Sequence, residues 1–394
     1  MDECKVYKGM WFLPDKPNVE VAGTLYFYPN ENIKLELIGS LSEMTANALF
    51  YQQDTNFPVI HGVVYGDNKA ESITLFDCSS SWEYNFACQF ALTTLHCTYM
   101  LVGKHINAKG NQLFDKIQIF FPCLRDWYPY RPIRFSVQNE TKCQWEISYD
   151  DKNKKLFPID TQINLILCTW AGYKTIFKDF LSLSVLTDVP FSTIILYDND
   201  DFQELKDGKR IIHPIQFFFV TKKNSTDKYP TYNYLFKFND IEQDFGNVIR
   251  KWYSESKQLA PIRTHLINSI TYKRTFTSID FLTVIQSIEG YYNRFIQESN
   301  LRTILTNLYD KFKNIQMISS NIVNFNQVKD SRDYYSHFFD KQKKQNVCDG
   351  IELYEVTSKL RLLLICCVLS LVGFSNADID KFLKNSNKMR WEYS

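Results

Sequence analysis

The sequence predicts an α+β protein of two domains: a β-rich, antiparallel, sandwich-like half over residues 1–221 and an all-α bundle over 240–394. Three observations carry this. Up to about residue 221, short runs of β-branched and aromatic residues alternate with turn residues. From Asp240 onward, apolar residues recur at the helical period. Between them, residues 222–239 include the polar stretch from Lys222 to Lys228 and read as a linker.

The first clear strands are 23–28 and 33–39, joined by Pro29-Asn30-Glu31-Asn32. In the second of them Ile33, Leu35 and Leu37 alternate with Lys34 and Glu36, the period of a half-buried strand. Similar runs follow at 58–65, 72–76, 90–102, 116–121, 133–137, 144–149, 163–169, 191–197 and 215–221. So many strands with little helical patterning imply a sandwich or a curved antiparallel sheet. The one helix expected in this half is 173–183.

In the second half, Thr277 reads as an N-cap with Asp280 three residues on. Phe281, Ile285, Ile288, Tyr292 and Phe295 then line one helix face. A second helix is expected over 300–315. A third begins near Asp330, whose carboxylate is expected to cap it. A long apolar helix spans 350–373, with Gly373 as its stop, and a short one spans 376–383. The most apolar run, 362–374, is interrupted by Ser370 and Gly373 and is too short to span a bilayer, so it reads as a core helix.

Composition excludes several classes. With 394 residues, 45% hydrophobic and 16% aromatic, the chain has ample material for globular cores. A net charge of +1 gives no global basic field, so any nucleic-acid site is a local patch. The ten cysteines contain no C-x-x-C pair and sit mostly among apolar residues, as reduced cytosolic cysteines do. The polar start MDECKVYKG is not a signal peptide, and a cytoplasmic protein is expected. His61, His96, His105, His213 and His265 are dispersed without metal-ligand spacing, so no metal or other cofactor is expected. The chain also lacks a P-loop, a G-x-G-x-x-G and a G-x-S-x-G.

What remains is Arg332-Asp333-Tyr334-Tyr335-Ser336-His337. Arginine offers phosphate a planar fork of donors, and histidine both gives and takes a proton near neutral pH. On a helix, five residues advance the direction by about 140° net and the axis by ~7.5 Å, so the two side chains flank a strip of surface. One such helix grips a phosphate poorly. Two facing across a two-fold axis form a cleft, so an isologous homodimer is expected. Lys341, Lys343 and Lys344 follow, either binding RNA phosphates or simply solvating a helix end. Tyr335 is a core or dimer aromatic, or a platform on which a base stacks. Glu289 sits beside its helix's apolar stripe and is expected to pair with Arg294 or Lys311.

Three patterns in the second half resemble a HEPN domain, the helical fold of many prokaryotic toxin and antiviral ribonucleases. They are F-L-x-x-I-Q-S-I-E-x-Y-Y over 281–292, the R-x4-H at Arg332 and His337, and the leucine-rich 360–371 followed by Gly373-Phe374-Ser375. Their order is similar to the ApeA-type branch, which acts in anti-phage defence. The first half adds Gly9-Met10-Trp11-Phe12-Leu13-Pro14 leading into Val21-Ala22-Gly23-Thr24-Leu25, then Ile60-His61-Gly62-Val63, Ile73-Thr74-Leu75-Phe76-Asp77, Met100-Leu101-Val102-Gly103-Lys104-His105 and Trp127.

The resemblance implies an abortive-infection effector that cleaves RNA, tRNA being a candidate, without a metal. Arg332 and His337 are then catalytic and Asp333 orients one of them, while the β half senses a phage-derived trigger or restrains the enzyme. Two other readings stay open. One is a binding or scaffold protein whose helical domain only dimerises. The other is a carbohydrate- or peptide-binding β domain with a helical dimer arm.

Overall fold

The computed structural model describes residues 4–29, 31–41, 56–65, 70–84, 91–107, 113–121, 123–128, 133–138, 142–150, 153–159, 163–164, 173–189, 193–220, 230–254, 256–271, 277–337, 344 and 346–393. Two compact units emerge. The first comprises Met1–Phe121, Gln144–Lys174 and Pro190–Ser225; the second comprises Pro122–Cys143, Thr175–Val189 and Thr226–Ser394.

The first unit begins with β1 (Lys5–Leu13), β2 (Lys16–Tyr28), β3 (Asn32–Ile38), β4 (Asn56–Tyr65), β5 (Ala70–Tyr84) and β6 (Ala91–Cys97). Each pairs antiparallel with its neighbour in the order β5-β4-β1-β2-β3-β6, and β6 pairs back onto β5. The β-rich antiparallel half is therefore present, and its layers arise from a sheet that closes into a six-stranded barrel. Closure depends on the 15 residues of β5. Its first part pairs with β4, while Ser79 to Tyr84 pair with His96 to Ala91. Alternation fills the inside: Ile33, Leu35 and Leu37 of β3 are buried while Lys34 and Glu36 face out and pair with each other. Trp11, Leu25, Ile60, Ile73, Leu75 and Leu95 meet them in one core.

Beyond the barrel the same sheet runs on as an open extension. It uses β7 (Tyr99–Val102), β9 (Lys116–Phe120), β11 (Lys142–Asp150), β12 (Asn153–Ile159), β14 (Thr193–Tyr197) and β17 (Ile215–Phe219). Their order outward from β5 is β7-β17-β14-β9-β12-β11. Two short pairs complete the unit: β8 (Leu113–Phe114) with β13 (Ile163–Asn164), and β15 (Phe202–Glu204) with β16 (Arg210–Ile212).

The second unit contains β10 (Ile133–Gln138) and the helices α1 (Leu124–Trp127), α2 (Tyr173–Val185), α3 (Phe238–Ile241), α4 (Phe245–Ser254), α5 (Ser256–Thr271) and α6 (Ser278–Phe295). It continues with α7 (Leu301–Lys311), α8 (Gln316–Ser320), α9 (Phe325–His337), α10 (Gly350–Val372), α11 (Asn376–Asn385) and α12 (Asn387–Tyr393). The helix expected at 173–183 belongs to this unit from Thr175 on. Trp252 donates its indole N–H to the Ile176 carbonyl at 2.7 Å, and Arg263 bonds Asp179 at 2.9 Å. Trp127 sits edge-on to Phe180, Phe238 and Phe245.

The apolar run at 362–374 forms the second half of α10 and the residues that end it, and every residue from Leu362 to Leu369 is buried. Helices α4, α5, α6, α7, α8 and α11 all pack on α10. A helix that is apolar all round is buried all round, and each such leucine contributes about 1.5–3 kcal/mol. Gly373 ends it at φ 113°, the left-handed region that favours glycine. The Thr277 hydroxyl accepts from the Asp280 amide and starts α6, as the sequence predicts. Among the described residues no helix is long and apolar enough to cross a membrane.

Two features of the barrel generate tests. Gly62 lies opposite Trp11, and a Cβ there would stand 2.4 Å from the buried indole. Gly62→Ala is therefore expected to destabilise the barrel by about 1–3 kcal/mol in urea unfolding, as overpacked sites do.

His61 and His105 stack with centroids 4.4 Å apart and planes 4° from parallel. Each uses Nε2 against a carbonyl oxygen, Ile106 at 3.1 Å and Gly62 at 2.9 Å, so each Nε2 carries the proton. Desolvation holds the His61 pKa below its ordinary value against the Ile106 hydrogen bond, and His105 lowers it further. Protonation consequently favours the unfolded chain. The neutral His61 therefore makes its full contribution to stability above about pH 6.5, and that contribution is lost as pH falls from there towards the depressed native pKa. The thermal midpoint should fall on acidification through this range, and less so in His61→Gln.

Candidate active site

Helix α9 carries Arg332, Asp333, Tyr335 and His337. It begins at Phe325 and not near Asp330, because the Asn324 side chain accepts from the amides of Asn326 and Gln327 at 3.0 and 3.4 Å. Asp330 lies within the helix. Its carboxylate accepts from Asn346 at 2.9 Å and stands 3.8 Å from the Lys344 ammonium. Only Val328 and Ser331 of α9 are buried, so most of the helix faces outward or partly outward.

Arg332 reaches two carboxylates. One Nη donates to Glu289 of α6 at 3.3 Å and the other to the adjacent Asp333 at 3.2 Å. Glu289 thus pairs with Arg332 and with neither candidate nearer in sequence. Arg294 instead donates to the Gln258 carbonyl, and Lys311 reaches the Tyr291 hydroxyl. The reason is placement: Glu289 flanks the buried stripe of α6 on the side where α9 packs.

The second oxygen of Asp333 accepts from Lys344 at 2.7 Å. Burial penalises the Asp333 charge, but hydrogen bonds from Lys344 and Arg332 outweigh it and hold the carboxyl below its usual pKa. The Asp333 bond in turn raises the Lys344 pKa. Three carboxylates therefore enclose two cations. Arg332 remains 34% exposed, which leaves its guanidinium within reach of a ligand.

A second set of bonds fixes the returning chain. The Tyr335 hydroxyl donates to the Cys348 carbonyl at 3.0 Å, and the Ser331 hydroxyl accepts from the Cys348 amide at 2.9 Å. One turn of α9 thus clamps both faces of Cys348. The Tyr335 ring also meets Phe281 and Tyr334 edge-on. Burial, with help from Asp349, pushes its phenol up to about 12.

His337 is the last residue of α9 and is exposed. Lys341 and Lys343 lie outside the described residues. Sequence reasoning missed the Ser331–Cys348 clamp and the Asp330–Asn346 bond, for which no local pattern exists. Among the described residues no group of three His, Cys, Asp or Glu side chains is placed to hold a metal ion.

The Apea-like HEPN family model matches residues 269–378, a span that includes α9 with Arg332 and His337. The model for ApeA N-terminal domain 1 matches residues 6–178 and 175–252, more than half of the chain, which belongs to the ApeA family. No curated protein and no solved structure matches it significantly.

The clamp is testable. Tyr335→Phe should lose about 1 kcal/mol and Ser331→Ala about 1–3 kcal/mol in urea unfolding, the second more because it strands a buried amide. Equal stability in all three proteins would dismiss the clamp.

Proposed function

We propose that the chain is an anti-phage effector whose HEPN domain is a metal-independent endoribonuclease. The observation that carries this is Arg332, accessible on the outer side of α9 and aimed by Glu289, on the same helix as an exposed His337. Family membership supports the HEPN effector class, whose members generally dimerise and act on RNA.

In this reading His337 takes the proton of the ribose 2′-OH or gives one to the leaving 5′-oxygen. The 2′-oxygen attacks its own phosphorus, the P–O5′ bond breaks, and a 2′,3′-cyclic phosphate and a 5′-hydroxyl result. Arg332 stabilises the charge that builds on the phosphate oxygens. A second copy facing the first across a two-fold axis completes the cleft with its own pair of residues. Lys341, Lys343 and Lys344 add backbone charge contacts, and the Tyr335 ring offers a stacking edge. The N-terminal domain senses infection or restrains the nuclease, and the cytoplasm is where both RNA and trigger occur.

Purified protein incubated with total RNA and tRNA in a chelator should cleave and leave cyclic phosphate ends. His337→Ala should lower the rate by about 10²–10⁴-fold. A strict Mg²⁺ requirement or 5′-phosphate products would sink the mechanism. Protection of phage-challenged cells by the alanine variant would leave the scaffold reading in its place.

A further inference from the structure

The two oxygens of the Asp333 carboxylate are held by two different cations, Arg332 on one at 3.2 Å and Lys344 on the other at 2.7 Å. A phosphodiester presents the same pattern, a pair of terminal oxygens sharing one negative charge. Both groups favour charge-assisted hydrogen bonds from guanidinium and ammonium donors.

We propose that Arg332 and Lys344 form a phosphodiester subsite that the Asp333 carboxylate occupies in the free protein, so that RNA binds by displacing it. This rests on the ribonuclease reading for its ligand and gives Asp333 the role of an internal competitor.

The outer contacts favour exchange at the middle. When Asp333 leaves, Arg332 keeps Glu289 on its other nitrogen at 3.3 Å, and Lys344 keeps Asp330 at 3.8 Å. Asp330 is itself held by Asn346 at 2.9 Å. Each cation therefore stays aimed while the shared anion changes. Asp333 is flanked by residues that are only partly buried, so its side chain has solvent to turn towards. Partly exposed ion pairs of this kind are weak enough for a phosphate to replace.

The test uses the full-length chain and single-stranded 2′-O-methyl RNA, which presents phosphates but carries no nucleophile. Binding is followed by fluorescence anisotropy over a range of salt. Asp333→Asn should bind about three- to fivefold tighter, the equivalent of losing one part-exposed pair. Asp333→Ser, which cannot reproduce the amide contacts, should do the same. Lys344→Ala should weaken binding and reduce the salt slope by about 0.7, the loss of one phosphate contact on a single strand.

In the double variant Asp333→Asn/Lys344→Ala the gain should shrink, because half of the released subsite is missing. If both Asp333 variants bind equally or more weakly, the carboxylate positions Arg332 and the proposal is overturned. If they bind tighter while no protein cleaves ordinary RNA, the subsite stands and the ribonuclease reading falls.

Discussion

The candidate site of the helical unit depends on one ion pair, Arg332 with Glu289. It joins α9 to α6, and α6 is in turn packed on α10, which is buried throughout from Leu362 to Leu369. Arginine cannot shed its proton in a protein, so its charge is fixed and only its direction is adjustable. Glu289 sets that direction from a helix whose Phe281, Ile285 and Ile288 are buried. The pair is partly exposed and contributes little to stability, in the range of tenths to about 1 kcal/mol. Its consequence is orientation: without it the guanidinium would be held only by Asp333 of its own helix.

Local patterns made much of this legible. The alternation in β3, the Thr277 cap and the Gly373 stop each depend on residues within a few positions of one another, and each stands where the sequence places it. The start of α9 did not follow, because Asn324 and Asp330 are both good caps. Which one serves depends on partners from elsewhere, and Asn346 and Lys344 take up Asp330. The partner of Glu289 failed for the same reason. Arg294 and Lys311 lie nearby in sequence, whereas Arg332 arrives from 43 residues away.

Barrel closure was equally out of reach. Alternating apolar residues fill one face of a strand whether that face meets a second sheet or the inside of a closed one. What decides is that β5 is long enough to serve β4 and β7 with one stretch and β6 with another. The pairing that completes the ring, β3 with β6, sets Ile38 opposite Leu92 from far along the chain and leaves no mark in the alternation. The Arg332–His337 spacing, by contrast, was visible at once. The charge cluster around Arg332 was not, since its acids come from two helices and its second cation, Lys344, from the segment between α9 and α10.

That cluster bears on how the proposed site would attract RNA. Among the described residues of this cluster Glu289, Asp333 and Asp330 outnumber Arg332 and Lys344, and the chain as a whole carries only +1. A polyanion gains little by drifting towards such a surface, because encounter is driven by local excess charge. On the proposed reading this suits an effector that must ignore the RNA of a healthy cell. A nuclease kept idle by a lid needs a moving segment. One kept idle by its own carboxylate needs only a local competition between two anions, which a second copy or a bound trigger tips by adding charge nearby.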